Sequence, residues 1–290
     1  MKVVVTGATG YLGRPVCEAL RARGDDVVAL ARSSGADLEL QGAWMDALDG
    51  AAAVVHLAGE PIAGKRWTAR QKQIIRDSRV ETTRHVVEAI ARARARPGVL
   101  VTASGADYYA AALPGEFDDD AVTEADPPGD GFLARVCRDW EAEARAAEPL
   151  GVRVVRMRCG LVLGPDGGAL ARMKAPFSRL GSGRQWVSWI ALADAVAGYV
   201  AAIDDPRYRG PINLVAGSVR NAELARALHR VGVPVPAFAL RAALGEMADP
   251  LLEGRNVVPA KLDELGFRFT HRELGAALAA TRAGTSARAG

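Results

Sequence analysis

Cysteine is scarce in this chain, which has three among its 290 residues. Cys17, Cys137 and Cys159 are odd in number and far apart, and none lies in a C-x-x-C pair or at metal-ligand spacing. This pattern gives no support for a disulfide framework or for a metal site. We therefore expect a protein of a reducing compartment, the cytoplasm, with no bound metal.

Long hydrophobic runs and a strong net charge are also missing. No apolar run reaches the ~18 residues that cross a bilayer, and the formal net charge is only +3. The arginines at positions 92, 94 and 96 suit a solvated helix face, and no aromatic residues are interleaved with them. Met1 leads directly into the first predicted strand, so we expect no cleavable targeting peptide. We expect neither a membrane nor a nucleic acid as partner.

The most informative stretch is residues 3–13, which read VVVTGATGYLG. A β-branched run is followed by Gly7, Gly10 and Gly13, and an amphipathic segment begins at once. This order predicts a buried strand, a tight turn and a helix N-terminus whose N–H groups can bind the phosphates of a dinucleotide. Gly7 permits the turn, Gly10 lets the backbone approach the pyrophosphate, and Gly13 lets the helix pack on the strand.

Strand-like runs alternate with helical ones through the first two-thirds of the chain. Such alternation predicts right-handed βαβ units, and hence an α/β, Rossmann-like, doubly wound parallel sheet. Ligands of such sheets bind beyond the carboxyl ends of the strands. The predicted strands are 2–6, 26–31, 53–57, 99–103 and 153–159, and the two long predicted helices are 69–96 and 132–148.

The pattern loosens from about residue 164, which predicts a small C-terminal substrate lobe. The small, polar residues 281–290 are expected to form a disordered tail. The predicted parts are a dinucleotide-binding domain at 1–163 and a lobe at 164–280. Within the lobe, residues from about 187 to 215 are expected to return to the core, as a helix at 189–203 and a strand at 211–214.

Arg32 follows the second predicted strand, where a carboxylate would bind the ribose hydroxyls of NAD and repel a 2′-phosphate. A guanidinium can instead pair with that phosphate and stack on adenine. The alternative is an exposed arginine without a ligand. We predict NADP(H) in preference to NAD(H). The predicted cofactor-binding residues are Gly7, Thr9, Gly10, Tyr11, Leu12, Gly13, Arg32, Ser33, Leu57, Ala58, Gly59, Glu60, Cys159 and Gly160.

The G-x-x-G-x-x-G spacing of TGATGYLG resembles the N-terminal signature of the extended short-chain dehydrogenase/reductases, the NAD-dependent epimerase/dehydratase superfamily. Other stretches narrow the resemblance to the atypical group of epimerase family proteins of the YfcH type, from residue 1 to about 280. The resemblance implies a Rossmann fold and NADP(H) binding, and it leaves the substrate open. The stretches are Leu57–Ile62, Arg66–Thr68, Ser78–Val80, Cys137–Glu141, Ser182–Trp186, Ser188–Ile190 and Gly245–Met247.

This chain departs from the superfamily at its Tyr-x-x-x-Lys pair, which performs proton transfer. Counting back from Glu141 places Leu133 and Cys137 at those two positions. Leucine has no proton to exchange, and a thiol carries no fixed positive charge. The ordinary mechanism therefore cannot be transferred to this chain.

The resemblance places Ser104 where the superfamily has its catalytic serine or threonine, and Tyr108 and Tyr109 follow it. Ser104 could hydrogen-bond a substrate oxygen, and either tyrosine could donate a proton if its pKa were lowered. The alternative is an ordinary loop serine beside two packing aromatics. We assign Cys137 to packing, since no histidine lies near it in sequence.

Three functions stay open at this point. The first is an NADP(H)-dependent oxidoreductase or epimerase acting on a small polar substrate. The second is a non-catalytic NADP(H)-binding sensor, and the third is a tailoring enzyme with non-redox chemistry. Extended relatives often dimerise through the helices predicted at 69–96 and 132–148, so we also expect a homodimer, with Val136 and Trp140 as apolar anchors.

Overall fold

The computed structural model describes residues 1–109, 119–165, 167–168, 177–228 and 233–288. The strands are β1 (Lys2–Thr6), β2 (Asp26–Leu30), β3 (Ala53–His56), β4 (Val99–Gly105), β5 (Ala121–Val122), β6 (Arg153–Cys159), β7 (Leu161–Leu163), β8 (Phe177–Leu180), β9 (Trp186–Ala191), β10 (Gly210–Leu214), β11 (Gly217–Arg220), β12 (Val233–Val235) and β13 (Asn256–Val257). The helices are α1 (Gly13–Ala22), α2 (Ala69–Arg92), α3 (Phe132–Arg145), α4 (Leu192–Asp204), α5 (Asn221–Leu228), α6 (Ala237–Leu244), α7 (Asp249–Leu252), α8 (Ala260–Glu264) and α9 (Leu274–Arg288).

The centre of the fold is a six-stranded parallel sheet in the order β10-β6-β4-β3-β1-β2. Apolar residues of α1 and α4 pack on one face of this sheet, and those of α2 and α3 pack on the other. Strands covered on both faces explain the nearly continuous apolar runs of the sequence. The predicted doubly wound α/β fold is confirmed.

The carboxyl ends of the parallel strands lie side by side along one edge of the sheet. Thr6 pairs with Leu30 on one side and with His56 on the other. Ser104 in β4 pairs with Arg158 in the adjacent strand β6. Residues that follow these strands are therefore neighbours in space, although they are far apart in sequence.

Smaller sheets form the part of the molecule above this edge. Strands β11, β9 and β7 make one sheet, while β8 pairs with β12 and β5 with β13. The helix predicted at 189–203 is partly wrong, because Trp189 and Ile190 pair with β7 and β11 and the helix begins at Leu192. A short apolar run fits a strand as well as a buried helix, and here the strand pairing decides.

The ends of three predicted segments differ from the structure. The long helices end earlier than predicted, α2 at Arg92 and α3 at Arg145. The expected disordered tail is helical up to Arg288, while residues 289–290 lie outside the described residues. Alanine-rich sequence favours helix, and Leu278, one turn earlier, is anchored in the core.

The expected apolar anchors of a dimer are not at the surface. Val136 and Trp140 are 3% and 6% exposed within the single chain. The outer surface of α2 and α3 carries ion pairs instead, such as Arg84 to Glu143 at 2.6 Å. The inward face of α3 holds Val136 and Trp140, and sequence periodicity alone did not distinguish this buried face from an interface.

Candidate functional site

The loop between β1 and α1 is tight because its glycines touch other backbone. Gly7 has a φ of +65°, and a Cβ there would lie 2.7 Å from the carbonyl carbon of Leu57. A Cβ on Gly13 would overlap the carbonyl oxygen of Gly7. The Gly10 N–H donates to that same oxygen at 2.9 Å. The roles predicted for Gly7 and Gly13 match this geometry.

The N-terminus of α1 is open to an anion. No side chain in the described ranges caps this helix, and its first turn holds no acidic residue. Thr9 and Gly10 are exposed in front of it. A helix N-terminus with a positive dipole end and an exposed glycine fits the pyrophosphate of a dinucleotide.

Tyr11 lies beneath the segment that leaves β7. Its hydroxyl is 3.5 Å from the carbonyl oxygen of Pro165. A Cβ on Gly164, Gly167 or Gly168 would lie within 2.6 to 2.8 Å of its ring or hydroxyl. Tyr11 thus lines the cleft described below, while Leu12 packs against the core.

Two cations flank one carboxylate at the end of β2. Arg32 and Ser33 are exposed there, and the Arg32 Nη2 lies 3.6 Å from Oε2 of Glu60. Lys65 Nζ lies 2.9 Å from the other oxygen of Glu60, and this hydrogen bond lowers the pKa of the Glu60 carboxyl. Sequence reasoning missed Lys65, which lies 33 positions after Arg32 along the chain.

A cleft of about 1300 Å³ opens along the carboxyl ends of the strands. It exceeds the ~300–1,000 Å³ that is usual for single small ligands. The segment after β12 lines it with apolar side chains such as Leu240, Leu244 and Met247, of which Met247 packs against Trp67 and Leu133. Of the predicted site residues, those lining the cleft are Tyr11, Leu57, Ala58, Gly59, Ser104, Tyr109, Cys159 and Gly160.

A buried ionic network holds Ser104. Arg158 donates to both oxygens of Glu141, at 2.8 and 2.9 Å, and both side chains are less than 5% exposed. The Ser104 hydroxyl donates to Oε1 of Glu141 at 2.9 Å. With its proton engaged by a carboxylate, Ser104 offers the cleft a hydrogen-bond acceptor.

The two tyrosines do not suit the proton transfer expected of them. Tyr109 donates to Oδ1 of Asn213 at 2.5 Å and accepts from Nη1 of Arg158 at 2.8 Å. Burial raises the pKa of Tyr109 to about 12, too high for proton exchange near neutrality. Tyr108 stacks on Arg158, whose Cζ is 3.4 Å from its ring centroid, and it lines a separate pocket.

Asp107, which sequence reasoning passed over, faces the cleft in the same loop. A Cβ on Gly105 would lie 3.2 Å from Oδ2 of Asp107 and 3.5 Å from Sγ of Cys137, so both side chains meet over this glycine. Burial raises the pKa of Asp107, and the positive charge of Arg79 lowers it by a smaller amount. The sequence signal was an acidic residue three positions after Ser104.

Arg79 is a buried cation on the floor of the cleft. Its guanidinium donates to the carbonyl oxygens of Ile75 at 2.9 Å and Glu60 at 3.0 Å. Gly59 makes room for it, since a Cβ there would lie 3.3 Å from its Cζ. A fixed positive charge therefore lies near Asp107 without any lysine.

A model of the NAD dependent epimerase/dehydratase family matches residues 3–217. The chain belongs to this family. A second model, a domain of unknown function designated DUF1731, matches residues 235–281, which supply the apolar wall of the cleft.

Members of the family from distant organisms resemble the chain over nearly its whole length. It is 41% identical to an "Epimerase family protein SDR39U1 homolog, chloroplastic" of Arabidopsis thaliana, covering 97% of this chain and 86% of that protein. It is also 41% identical to "Epimerase family protein Mb2239" of Mycobacterium bovis, covering 97% and 98%. The crystal structure of human epimerase family protein SDR39U1 with NADPH superimposes with a TM-score of 0.84 at 31% identity, covering 97% and 99% of the two chains.

The two positions predicted to correspond to the Tyr-x-x-x-Lys pair carry neutral side chains. Leu133 and Cys137 both line the cleft. The Gly105 N–H donates to the Cys137 sulfur, and burial raises the pKa of this thiol to about 12. Burial likewise raises the pKa of Cys159 to about 12. Both thiols are protonated at neutral pH, in keeping with packing.

No helix in the described ranges is long and apolar enough to cross a membrane.

Proposed function

We propose that this chain is an NADP(H)-dependent oxidoreductase or epimerase whose proton transfer depends on the loop after β4. The observation that carries the proposal is the cleft itself, which Ser104 and Asp107 line together with Tyr11 of the glycine loop and an apolar wall. The human relative that was crystallised with NADPH supports the choice of cofactor. When bound, NADP(H) supplies or accepts a hydride, and the protein has to supply the proton.

Arg32 and Lys65 would select the phosphorylated cofactor. Arg32 follows β2 and Lys65 follows β3, and Glu60 between them forms only a long contact with Arg32. A 2′-phosphate there can accept from the free edge of the Arg32 guanidinium.

Exchanging Arg32→Asp should weaken NADPH binding by ~1.5–3 kcal/mol, the contribution of a hydrogen bond to a charged group, and should spare NADH. Isothermal titration calorimetry with both nucleotides measures this. Arg94→Asp is the matched control, since Arg94 is 94% exposed at the opposite edge of the sheet. Equal losses for NADPH and NADH in the Arg32 variant would contradict the assignment.

Asp107 and Ser104 would have different roles in the reaction. The raised pKa of Asp107 lets its carboxyl keep a proton closer to neutrality, which suits an acid or base in the cleft. Ser104, with its proton held by Glu141, would accept a hydrogen bond from a substrate hydroxyl. Arg79 would stabilise the ionised form of Asp107.

The walls of the cleft favour a substrate with an apolar body, rather than the small polar one expected from sequence. Trp67, Phe132, Leu133 and Met247 form one apolar cluster on the cleft wall, and Leu240 belongs to a second apolar cluster on it. A substrate that fills this space gains about 25 cal/mol per Å² of apolar surface buried. We therefore propose an alcohol whose hydroxyl donates to Ser104 and whose hydrocarbon part meets this wall, with the corresponding ketone as its oxidised form.

Replacing Asp107→Asn should lower turnover by ~10²–10⁴-fold, the usual contribution of a positioned acid or base, with NADPH affinity little changed. NADPH oxidation and NADP⁺ reduction over a panel of apolar ketones and alcohols measure turnover. Tyr108→Phe is the control, because Tyr108 faces the other pocket. Loss of turnover in the Tyr108 variant, but not in the Asp107 variant, would refute this assignment.

A non-catalytic NADP(H) sensor is the second candidate function. It is favoured by Leu133 and Cys137, which remove the usual proton-transfer pair from the cleft. Tight NADPH binding without turnover of any compound in the panel would select this function.

The homodimer and the cytoplasmic location stay proposals from sequence. A dimer through α2 and α3 would have to join charged surfaces, since Arg76 and Arg84 pair there with Asp139 and Glu143. Such contacts weaken with salt. Light scattering at low and high salt tests the dimer. One relative is described as chloroplastic, so location has to be measured for this protein separately.

A further inference from the structure

A second pocket lies on the far side of Arg158, between α3, β6 and the loop after β5. Its volume is about 300 Å³, at the lower end of the range for small-molecule sites. Arg156 and Arg158 reach it from β6, where residues two apart share a face. Arg138, Glu141 and Arg145 reach it from α3, where spacings of three and four residues give one helix face.

The acidic groups of this pocket are each held by other donors. Glu141 accepts both hydrogen bonds of Arg158, at 2.8 and 2.9 Å. Asp126 accepts from the N–H and the hydroxyl of Thr123, at 2.8 and 2.9 Å. Glu124 accepts from two backbone N–H groups, at 2.8 and 3.3 Å. These hydrogen bonds occupy part of the acceptor capacity of each carboxylate and leave the charges of Glu124 and Asp126 in place.

Arg156 is a buried cation without a hydrogen bond in the described part of the chain. It is 9% exposed, and its Nε is fully enclosed and unpaired. Its nearest acidic oxygen is Oε2 of Glu141, 3.8 Å from Nη1. A guanidinium has five N–H donors, and leaving buried donors unpaired is unfavourable.

Two further guanidiniums border the same space with little local compensation. Arg145 is exposed and forms neither a hydrogen bond nor an ion pair with any described residue. Arg138 has only a 3.4 Å contact with the carboxylate of its neighbour Asp139. With Arg156, the pocket thus presents three guanidiniums that have N–H donors to spare, beside the charged carboxylates of Glu124 and Asp126.

We propose that this pocket binds a phosphate group, either free phosphate or the monoester of a small molecule. The paired N–H groups of a guanidinium match the spacing of phosphate oxygens, and the two negative charges of a phosphate can compensate more than one arginine. The small volume excludes a dinucleotide, so the site is distinct from the cofactor cleft.

The pocket is linked to the cleft through shared residues. Glu141 contacts Arg156 and Arg158 on one side and the Ser104 hydroxyl on the other. A phosphate held by Arg156 would compete with Glu141 for these cations and alter the hydrogen bond of Ser104. Phosphate binding itself does not depend on the proposed function, whereas this effect on Ser104 rests on it.

Calorimetric titration with inorganic phosphate and with methyl phosphate, at constant ionic strength and with saturating NADPH, tests the site. Wild-type protein should bind at least one probe saturably, and the ratio of the two affinities distinguishes free phosphate from a monoester. Arg145→Met and Arg156→Met should each weaken this binding by about tenfold or more. Arg145 is exposed, so its variant should fold even if the Arg156 variant does not.

Arg94→Met, which removes a distant exposed arginine, should bind phosphate as the wild type does. If neither inorganic phosphate nor methyl phosphate binds at millimolar concentration, the proposal is overturned. It would equally fail if Arg145→Met and Arg156→Met bound normally, or if only Arg32→Asp lost binding, since the anion would then lie at the cofactor site.

Discussion

His56 ends β3 directly beneath the glycine loop, and both of its ring nitrogens are paired. Nδ1 lies 2.6 Å from the Thr6 hydroxyl, and Nε2 lies 3.0 Å from that of Thr83. Thr83 donates its own proton to the carbonyl oxygen of Arg79, so Nε2 must be the donor toward it. Nδ1 then accepts from Thr6. A second proton on Nδ1 would break the hydrogen bond from Thr6, and burial lowers the pKa of His56 to about 4.

The lowered pKa of His56 predicts a loss of stability in mild acid. The unfolded chain, with a pKa near 6.5, takes up a proton that the folded chain refuses, so stability falls as the pH drops from 6.5 towards 4. Between pH 7.5 and 4.5 this one group should remove ~2–3 kcal/mol of the free energy of unfolding. Urea unfolding at both pH values measures the difference.

His56→Asn should be less stable than the wild type at pH 7.5 but should lose less on acidification. His85→Asn is the control, since His85 is only partly buried and contacts a single backbone carbonyl. An unchanged pH dependence in the His56 variant would show that other groups govern the acid transition.

Single residues of the site could be predicted where the signal is local. Gly7 and Gly13 are defined by a turn within one loop, and Ala58 and Gly59 follow a strand directly. Lys65, Arg79 and Asp107 were missed because their importance depends on what tertiary packing places beside them. The position of Tyr108 was unforeseen for the same reason, since its ring stacks on Arg158 and lines the second pocket rather than the cleft.

At the scale of elements, the strands of the large sheet were predictable because buried parallel strands read as β-branched apolar runs. β9 was taken as the start of a helix, since only pairing with β7 and β11 makes it a strand. In α3 the spacing of Val136, Cys137 and Trp140 indicated a buried face. It did not indicate whether that face packs within the chain or on a second copy. Glu141 on that face gave no sign in sequence of the buried Arg158 opposite.

Glu141→Gln should destabilise the protein by about 3–5 kcal/mol, because it leaves the buried Arg158 without a compensating charge. Urea unfolding at pH 7 measures the change. Glu143→Gln is the matched control on the same helix, two residues further on. Its ion pair with Arg84 is 25–44% exposed, and its loss should change stability by less than about 1 kcal/mol. Similar effects of the two variants would mean that the buried pair is more hydrated than its burial indicates.

At the scale of the whole molecule, the large sheet and the C-terminal segment that contains Leu262 and Leu278 share one core. A single cluster of buried apolar residues extends from Val3 in β1 to Leu278 in α9. Strand β13 pairs with β5, and the amide nitrogen of Asn213 in the large sheet donates to the carbonyl oxygen of Val258. The lobe is therefore expected to unfold together with the sheet rather than as a separate unit.

A chain ending at residue 234 should fail to fold, because it lacks Leu262, Leu274, Ala277 and Leu278 of the shared core. A chain ending at residue 282 keeps these side chains and should unfold with the midpoint of the full protein. Far-ultraviolet circular dichroism and tryptophan fluorescence should give one coincident transition for both the full chain and the longer truncation. If the chain ending at 234 unfolds cooperatively with a midpoint close to that of the full protein, the lobe is an independent unit. The cleft would then be an interface between two domains that can move apart, and the apolar wall would close only when a ligand joins them.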